Sequence, residues 1–218
     1  MKPGNNIQTI IWDWNGTLLD DVDICITSIN IMLDRRGLPL IGRERYRTLF
    51  TFPVINYYQS IGFDFTEESF ETISDEFMGI YFENIRSAKL VQGAVDVLQA
   101  ISLAGLQQTI ISAMRQKDLD ASVFRYGIRS YFDGIYGAKD HFAYGKIEHA
   151  KIIFHAWNHN PENVLVIGDT CHDAELAAEL RCQCILFSGG HYIRQRLELS
   201  QCLITDSMKE LENLIIRN

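Results

Sequence analysis

The segment Ile7–Asp20 reads I-Q-T-I-I-W-D-W-N-G-T-L-L-D. Its apolar run, Ile7–Trp12, stops at Asp13, and Gly16-Thr17 supplies a tight turn directly afterwards. A continuous apolar run is typical of a strand buried on both faces, as in a parallel sheet covered by helices. Asp13 is therefore expected at the carboxyl end of a buried strand, which is where open α/β sheets bind their ligands.

Similar short apolar runs recur along the chain, at Thr109–Ile111, Ile135–Tyr136, Val164–Ile167, Cys184–Phe187 and Cys202–Ile204. Apolar residues at helical spacing lie between these runs, within 94–104 and 147–157, and again after the last run, within 208–215. Alternation of strands and helices requires right-handed crossovers and favours a sheet covered on both faces. The sequence thus predicts an α/β fold with a doubly wound parallel sheet.

One long stretch interrupts this alternation, because no convincing strand appears between about Asp20 and Lys89. An amphipathic stripe over Val22–Leu33 is closed by a glycine, and Thr66 is placed to cap a second long helix. We therefore expect an α/β core of residues 1–19 and 90–218, and an inserted all-helical cap domain of residues 20–89.

The composition limits the classes of partner. Of 218 residues, 47% are hydrophobic and 22% charged, which is typical of a soluble globular protein. A formal charge of −8 disfavours a general nucleic-acid or anionic-membrane partner. The five cysteines lack C-x-x-C spacing, and we find no signal peptide and no apolar run long enough to span a membrane. We expect a cytoplasmic protein with reduced thiols.

Two further apolar runs end in a polar residue, as the first one does. Ser112 follows Thr109–Ile111, and Asp169 follows Val164–Ile167 and opens G-D-T-C-H-D, which places Asp173 near the start of a helix. Each residue could simply cap the next helix, although a turn and not a helix follows Asp13. Two or three carboxylates meeting at one sheet edge would suit Mg²⁺, which prefers hard oxygen ligands.

Lys146 opens the predicted helix that follows A-Y-G. A cation at a helix N-terminus opposes the helix dipole, so this position is slightly unfavourable for an ordinary solvated lysine. Beside an anionic phosphoryl group the same charge would be favourable. The residues alone leave both interpretations open.

Four features, in their order along the chain, resemble the motifs of the haloacid dehalogenase superfamily. They are D-x-x-G-T at Asp13, the apolar run that ends in Ser112, Lys146, and G-D-x-x-x-D at Asp169. The early helical insertion is similar to the cap of the phosphoglycolate-phosphatase-like branch. The resemblance covers essentially the whole chain. It implies a Mg²⁺-dependent phosphatase that acts on a small phosphorylated metabolite through an aspartyl-phosphate on Asp13.

The resemblance also implies a role for each motif residue. Mg²⁺ would be held by Asp13, the main-chain carbonyl of Asn15 and Asp169, with Asp173 binding a metal-bound water or orienting Lys146. Phosphoryl oxygens would be held by side chains and backbone N–H groups at the strand ends: Ser112, Ala113, Lys146, Gly16 and Thr17. The cap would close over the crevice and select the substrate.

Asn15 departs from the family pattern, because phosphatases of this family carry an aspartate there that shuttles protons. An amide cannot do so at neutral pH, and loss of a general acid–base typically costs about 10²–10⁴ in rate. Four alternatives follow: a slow phosphatase that needs good leaving groups, a substitute base such as His172 or His141, a catalytically weak phosphometabolite-binding or regulatory protein, or an introduced substitution. If only the shuttle is missing, Asn15→Asp should raise turnover.

Two other branches of the family also lack that aspartate. Phosphonate-cleaving members use a cap lysine, and residues 20–88 contain none. The dehalogenating branch works without Mg²⁺ and would not need both Asp169 and Asp173. Phosphoryl chemistry is therefore the favoured expectation.

Three weaker patterns have simple structural interpretations. The aromatic-rich segment Phe50–Phe63 is expected to pack inside the cap, with lining of the substrate crevice as the alternative. Three arginines at alternate positions, 43, 45 and 47, are expected to be solvated, with recognition of a substrate carboxylate by one of them as the alternative. The sequence S-G-G-H at 188–191 is expected to be a plain glycine turn after a strand, with an anion cradle as the alternative.

Overall fold

A computed structural model describes residues 6–139, 146–157 and 159–216. In chain order its strands are β1 (Thr9–Trp12), β2 (Leu19–Asp20), β3 (Lys89–Leu90), β4 (Gln107–Arg115), β5 (Gly134–Ala138), β6 (Val164–Gly168), β7 (Gln183–Phe187) and β8 (Leu203–Thr205). Its α-helices are α1 (Val22–Arg35), α2 (Arg43–Leu49), α3 (Val54–Ser60), α4 (Phe70–Asn84), α5 (Ala94–Leu103), α6 (Gln116–Arg125), α7 (Lys146–Trp157), α8 (Cys171–Leu180), α9 (Arg194–Leu197) and α10 (Met208–Ile216).

The main sheet has six parallel strands in the order β5-β4-β1-β6-β7-β8. The chain starts in the middle at β1, builds outward through β4 and β5, and then returns to build β6, β7 and β8 on the other side. This is the predicted doubly wound α/β fold. Because β1 lies between β4 and β6, its carboxyl end is a topological switch point, where a crevice opens between diverging connections.

Burial explains why the first run forms the central strand. All four residues of β1 are fully buried, and Trp12 pairs in register with Ile110 on one side and Ile167 on the other. Each of the predicted apolar runs forms a strand of this sheet.

The second run forms a longer strand than predicted, because β4 continues past Ser112 to Arg115. Its pairing with β5 is irregular between Ile111 and Arg115. The Ser112 hydroxyl accepts a hydrogen bond from the Met114 N–H at 3.1 Å, and the Gln116 side chain bonds the backbone of β5. Side chains thus replace part of the regular ladder at this end of the strand.

Helices α1–α4 lie between two short strands that form an antiparallel ribbon, with Leu19 opposite Leu90 and Asp20 opposite Lys89. The ribbon lies where the chain leaves the α/β sheet and returns to it. We propose that it divides the core of residues 1–19 and 90–218 from the cap of residues 20–89.

The predicted cap residue of the second long cap helix was wrong. Thr66 donates from its N–H and its hydroxyl to the Asp64 carboxylate, at 2.8 and 2.7 Å, and so belongs to a turn. Helix α4 begins at Phe70, and its N-cap is Ser69, whose hydroxyl accepts from the Thr72 N–H at 3.2 Å.

Within the part of the chain that the structure describes, we find no helix with the length and apolar character needed to cross a bilayer.

Candidate active site

Lys146 lies at the centre of the predicted site and is buried, with 6% exposure. Its ammonium Nζ is 2.6 Å from Oδ1 of Asp13 and 2.7 Å from Oδ1 of Asp173. The two carboxylates lie 160 positions apart, but the ends of β1 and β6 bring them to one cation. This geometry excludes the solvated interpretation of Lys146.

Asp173 has two of the functions considered for it, capping a helix and orienting Lys146. While Oδ1 contacts Lys146, Oδ2 accepts hydrogen bonds from the N–H of Thr170 at 3.1 Å and from its hydroxyl at 2.9 Å. The residue therefore stabilises the first turn of α8 and also fixes the lysine in position.

Asp169 is completely buried and caps no helix. Its Oδ1 accepts from the Thr17 hydroxyl at 2.9 Å, and its Oδ2 accepts from the His191 N–H at 2.6 Å. Gly16 passes so close that a Cβ atom there would lie 2.3 Å from Oδ2 of Asp169, and its φ of +73° suits glycine. The turn after β1 is thus packed directly against the carboxylate at the end of β6.

The site carries more negative charge than Lys146 can balance. Oxygen atoms of Asp13, Asp169 and Asp173 lie within 4.8 Å of one another. Burial raises the pKa of Asp13 to about 6 against the lowering effect of Lys146, and it raises the pKa of Asp169 to about 7. Three carboxylates facing one ammonium leave an excess of two negative charges, so this donor set fits a divalent cation that prefers oxygen ligands.

The pKa of Asp173 is shifted in the opposite direction to those of Asp13 and Asp169. Burial alone would raise the pKa of that carboxyl, but the charge and hydrogen bond of Lys146 hold it below its usual value. The two carboxylates in turn raise the pKa of Lys146 despite its burial. The ion pairs therefore stay charged at neutral pH.

A cavity of about 180 Å³ opens at this edge of the sheet. Six of the predicted site residues line it: Asp13, Asn15, Ser112, Ala113, Lys146 and Asp169. Asp173 does not line the cavity but contacts two of these residues, accepting from the Lys146 ammonium at 2.7 Å and from the Asp169 N–H at 3.2 Å. Ser112 is 3% exposed, and its hydroxyl lies at the irregular end of β4.

The expected substrate contact from Gly16 and Thr17 gains no support from the geometry. The Gly16 N–H donates to Oδ1 of Asp21 at 2.9 Å, and the Thr17 N–H faces the Trp14 carbonyl at 3.3 Å. Neither N–H is free for a phosphoryl oxygen. Both residues instead support Asp169, through the close approach of Gly16 and the hydroxyl of Thr17.

Asn15 is held by two partners. Its amide Nδ2 donates to Oδ2 of Asp21 and to the hydroxyl of Tyr81, both at 2.8 Å. The Tyr81 hydroxyl in turn donates to the same Asp21 oxygen at 2.7 Å. Both amide hydrogens are therefore used, and the side-chain oxygen of Asn15 remains as a hydrogen-bond acceptor.

His191 belongs to this site, although from the sequence it was expected only as part of a glycine turn. Its Nε2 lies 3.4 Å from Oδ1 of Asp21, and its Nδ1 lies 2.9 Å from the hydroxyl of Tyr46. Burial opposes its protonation, but the charges of Asp21 and Asp169 raise its pKa to about 9. His191⁺ correspondingly holds the pKa of Asp21 below its usual value despite burial. The signal was available, since S-G-G-H follows the strand next to β6.

The interpretation of Arg47 as solvated was wrong. Its guanidinium donates to the carbonyl oxygens of Gly190 at 2.7 Å and Tyr192 at 2.6 Å, and also to that of Ser188. Segment 188–192 is therefore more than a plain glycine turn. It is fixed by Arg47 of α2, and it places His191 between Asp169 and Asp21.

Of the two histidines considered as substitute bases, His141 lies outside the described residues. His172 lines the cavity; its Nδ1 lies 3.2 Å from Oε2 of Glu175, and its ring centre lies 5.1 Å from that of Phe52.

The cap contributes an aromatic wall to the cavity, formed by Tyr46, Phe50, Phe52, Tyr57, Tyr58, Phe70, Phe77 and Tyr81. Both interpretations of Phe50–Phe63 therefore hold in part: Tyr57 and Tyr58 are buried in the cap core, and they also line the crevice. The Tyr57 hydroxyl is buried without a hydrogen-bond partner among the described residues.

Comparisons with known proteins agree with this geometry. Residues 10–187 match the family model of haloacid dehalogenase-like hydrolases. The chain is 24% identical over 216 residues to phosphoglycolate phosphatase 1 of Pseudomonas aeruginosa, covering 94% of this chain and 78% of that protein. It is also 24% identical over 219 residues to the phosphoglycolate phosphatase of Nitrosococcus oceani, covering 95% and 96%.

Among solved structures, protein tyrosine kinase A of Mycobacterium tuberculosis superposes with a TM-score of 0.81 at 20% identity, covering 97% of this chain and 99% of that one. At this identity the likeness shows a shared fold and not a shared reaction.

Proposed function

Because the chain belongs to the haloacid dehalogenase-like hydrolase family, we propose that it is a Mg²⁺-dependent phosphatase that hydrolyses a small phosphorylated metabolite through an aspartyl-phosphate on Asp13. The observation that carries this proposal is the position of Lys146, whose ammonium lies 2.6 Å from Asp13 and 2.7 Å from Asp173. Two curated relatives that are phosphoglycolate phosphatases support phosphomonoester chemistry in general.

Asp13 is suited to be the nucleophile because it lines the cavity at the end of the central strand. In the first step a carboxylate oxygen of Asp13 forms a bond to phosphorus, and the bond from phosphorus to the substrate oxygen breaks. In the second step water attacks phosphorus, the bond to Asp13 breaks, and inorganic phosphate leaves. The proton lost by water balances the one gained by the leaving alcohol.

The remaining residues bind and orient the phosphoryl group. Lys146 offers a fixed positive charge, because two carboxylates hold its ammonium at the cavity wall. Ser112 and the backbone of Ala113 lie on the β4 side of the cavity and would hold phosphoryl oxygens. Asp173 positions Lys146 and does not contact the substrate.

Mg²⁺ would be held by Asp13, Asp169 and the main-chain carbonyl of Asn15, with Asp173 contributing through a water molecule. When bound, it would neutralise charge on the transferring phosphoryl group. The excess of two negative charges among the described site residues supports this assignment.

A second candidate function follows from Asn15, whose amide cannot carry a proton. A protein with this pocket but negligible turnover would bind phosphometabolites as a sensor or regulator. We place the protein in the cytoplasm under either function, where its five free thiols would stay reduced.

A screen of phosphate monoesters with Mg²⁺ and with EDTA tests the two functions. The phosphatase predicts hydrolysis that needs Mg²⁺ and is lost in Asp13→Ala. It also predicts a phosphate adduct on Asp13, seen by mass spectrometry of acid-quenched enzyme. Tight binding of a phosphate ester without hydrolysis or adduct would instead support the binding protein.

A further inference from the structure

We propose that the leaving group of the substrate is an aromatic oxygen, so that the protein acts on the phosphate ester of a phenol-like ring and not on a small carboxylate-bearing ester such as phosphoglycolate. This inference rests on the proposed phosphatase function. Three features of the site support it independently: the aromatic lining that the cap gives the cavity, the ion pairs formed by the cations in the cavity, and the inability of Asn15 to donate a proton.

The first feature is the shape and chemistry of the cavity. One cavity of about 180 Å³ is lined both by the carboxylate cluster and by aromatic rings of the cap. Among the rings that the cap contributes, Phe77 stacks on Tyr81 with ring centres 5.9 Å apart. Phe52 of the cap contacts His172 of the core, with ring centres 5.1 Å apart. Aromatic rings pack well against such edges and faces.

The second feature is that every cationic side chain lining the cavity in the described part of the chain already has an anionic partner. Lys146 is held by Asp13 and Asp173. The other two are paired in the same way: His191 with Asp21, and Arg115 with Asp118 at 2.6 Å. A substrate carboxylate in the cap half of the cavity would have to share its cation with the carboxylate already paired to it, which makes the loss of its water costly.

The third feature is that Asn15 cannot protonate a leaving oxygen. Both hydrogens of its amide are donated to Asp21 and Tyr81. An alkanol, which is about as weak an acid as water, is a poor leaving group without a general acid. A phenol, with a pKa of about 10 as in tyrosine, departs as its anion far more readily. The chemistry at Asn15 and the aromatic wall thus select the same substrate class.

The test compares four esters under saturating Mg²⁺: phenyl phosphate, benzyl phosphate, ethyl phosphate and phosphoglycolate. Benzyl phosphate keeps the ring but has an alkanol leaving group, so it separates ring binding from leaving-group acidity. We expect kcat/KM for phenyl phosphate to exceed that for phosphoglycolate at least 100-fold. Benzyl phosphate should have a KM close to that of phenyl phosphate and a kcat at least 10-fold lower.

Hydrolysis of phosphoglycolate or ethyl phosphate as fast as phenyl phosphate would overturn the inference and leave the phosphatase function intact. Failure of all four esters, with no adduct on Asp13, would overturn the phosphatase function and the inference with it.

A matched pair of variants locates the effect in the cap wall. Phe77→Ala should raise KM for phenyl phosphate at least 10-fold while changing KM for ethyl phosphate less than 2-fold. Phe124→Ala removes an equal ring that is 81% exposed on α6 and should change neither value. Phe77→Leu keeps an apolar side chain in case the alanine variant does not fold. Equal KM values in the parent, Phe77→Ala and Phe77→Leu would contradict ring binding at this wall.

Discussion

The side-chain nitrogen of Asn15 lies 2.8 Å from the buried carboxylate of Asp21. Asn15, which stands where the family pattern has an aspartate, therefore forms a favourable pair with Asp21, in which the amide donates a hydrogen bond to the carboxylate. A carboxylate at position 15 would face a second carboxylate at the same distance. This pairing changes what substitutions at the site should do.

We expect Asn15→Asp to lower the free energy of unfolding by about 1–3 kcal/mol, because it removes a hydrogen bond to a buried charge and adds a like charge. From the sequence alone the same change was expected to raise turnover. With Asp21 in place, no gain approaching 10²-fold is expected. Urea unfolding measures the change in stability, and kcat for one phosphate ester measures the change in turnover.

The double variant Asn15→Asp with Asp21→Asn exchanges the two partners and keeps the net charge. It should recover part of the lost stability, because the repulsion is removed while His191⁺ loses its contact with Asp21, and it should show a higher kcat than Asn15→Asp alone. Asp20→Asn, at an exposed neighbouring position, serves as a charge control and should do neither. If Asn15→Asp alone is as stable as the parent and more active, the pairing argument is wrong.

Lys146→Met should abolish hydrolysis and reduce the free energy of unfolding at pH 8 by about 3–5 kcal/mol, because two buried carboxylates lose their cation. The loss of stability should be smaller at pH 5, since Asp13, with a pKa of about 6, then takes up a proton. Denaturant titrations at the two pH values measure this difference.

Lys151→Met is the matched control for that variant, because Lys151 lies on the same helix and pairs with exposed Glu148 and Glu179. Surface pairs of this kind contribute little, so its stability should stay within about 1 kcal/mol of the parent. An equal loss at both pH values in Lys146→Met would argue against Asp13 as the group that titrates.

The metal-free protein should lose stability as pH rises from about 4 to about 7. The pKa values of Asp13 and Asp169 are raised to about 6 and about 7 from an ordinary value of 3.8. Over that window the folded chain therefore holds more protons than the unfolded chain, and each rise in pH favours unfolding.

Mg²⁺ should reverse this trend, because it competes with those protons. We expect its effect on the melting temperature to be small at pH 5.5 and to grow up to pH 8, with protons released on binding. Thermal unfolding with and without Mg²⁺, and calorimetry in two buffers, measure this. Asp169→Asn should lose the effect, and a shift that does not vary with pH would contradict the assignment.

Gly16→Ala should destabilise the fold by more than 2 kcal/mol and weaken Mg²⁺ binding, because the new Cβ would lie 2.3 Å from Asp169. Gly105→Ala is the matched control. Gly105 has nearly the same φ, +76° against +73°, but no atom lies within 4 Å of its Cβ position. Gly105→Ala should lower the free energy of unfolding by only about 1 kcal/mol, which is the contribution of the positive φ alone. Similar losses in the two variants would show that the contact with Asp169 is unimportant.

The sheet and the strand-end residues could be predicted because each depends on local pattern. Continuous apolar runs such as Val164–Ile167 are stable only where both faces are covered, so the strands and their parallel arrangement follow from composition and spacing. The carboxyl ends of such strands then share one edge, which was enough to expect Asp13, Ser112 and Asp169 together.

What surrounds Asn15 could not be predicted in the same way. Asp21, Tyr81 and His191 meet there from three separate segments, and no local pattern relates them. Arg47 looked solvated because its spacing is that of an exposed face, yet its target is a set of carbonyl oxygens far along the chain.

The sequence by itself determined the α/β architecture, the helical insertion and the identity of the strand-end groups, because burial and backbone hydrogen bonding act over a few residues at a time. Only the tertiary structure decided which charges are paired, which amide hydrogens are used and what kind of wall faces the cluster. Those properties depend on distances of about 3 Å between segments far apart in the chain, and such distances are fixed only when the core packs.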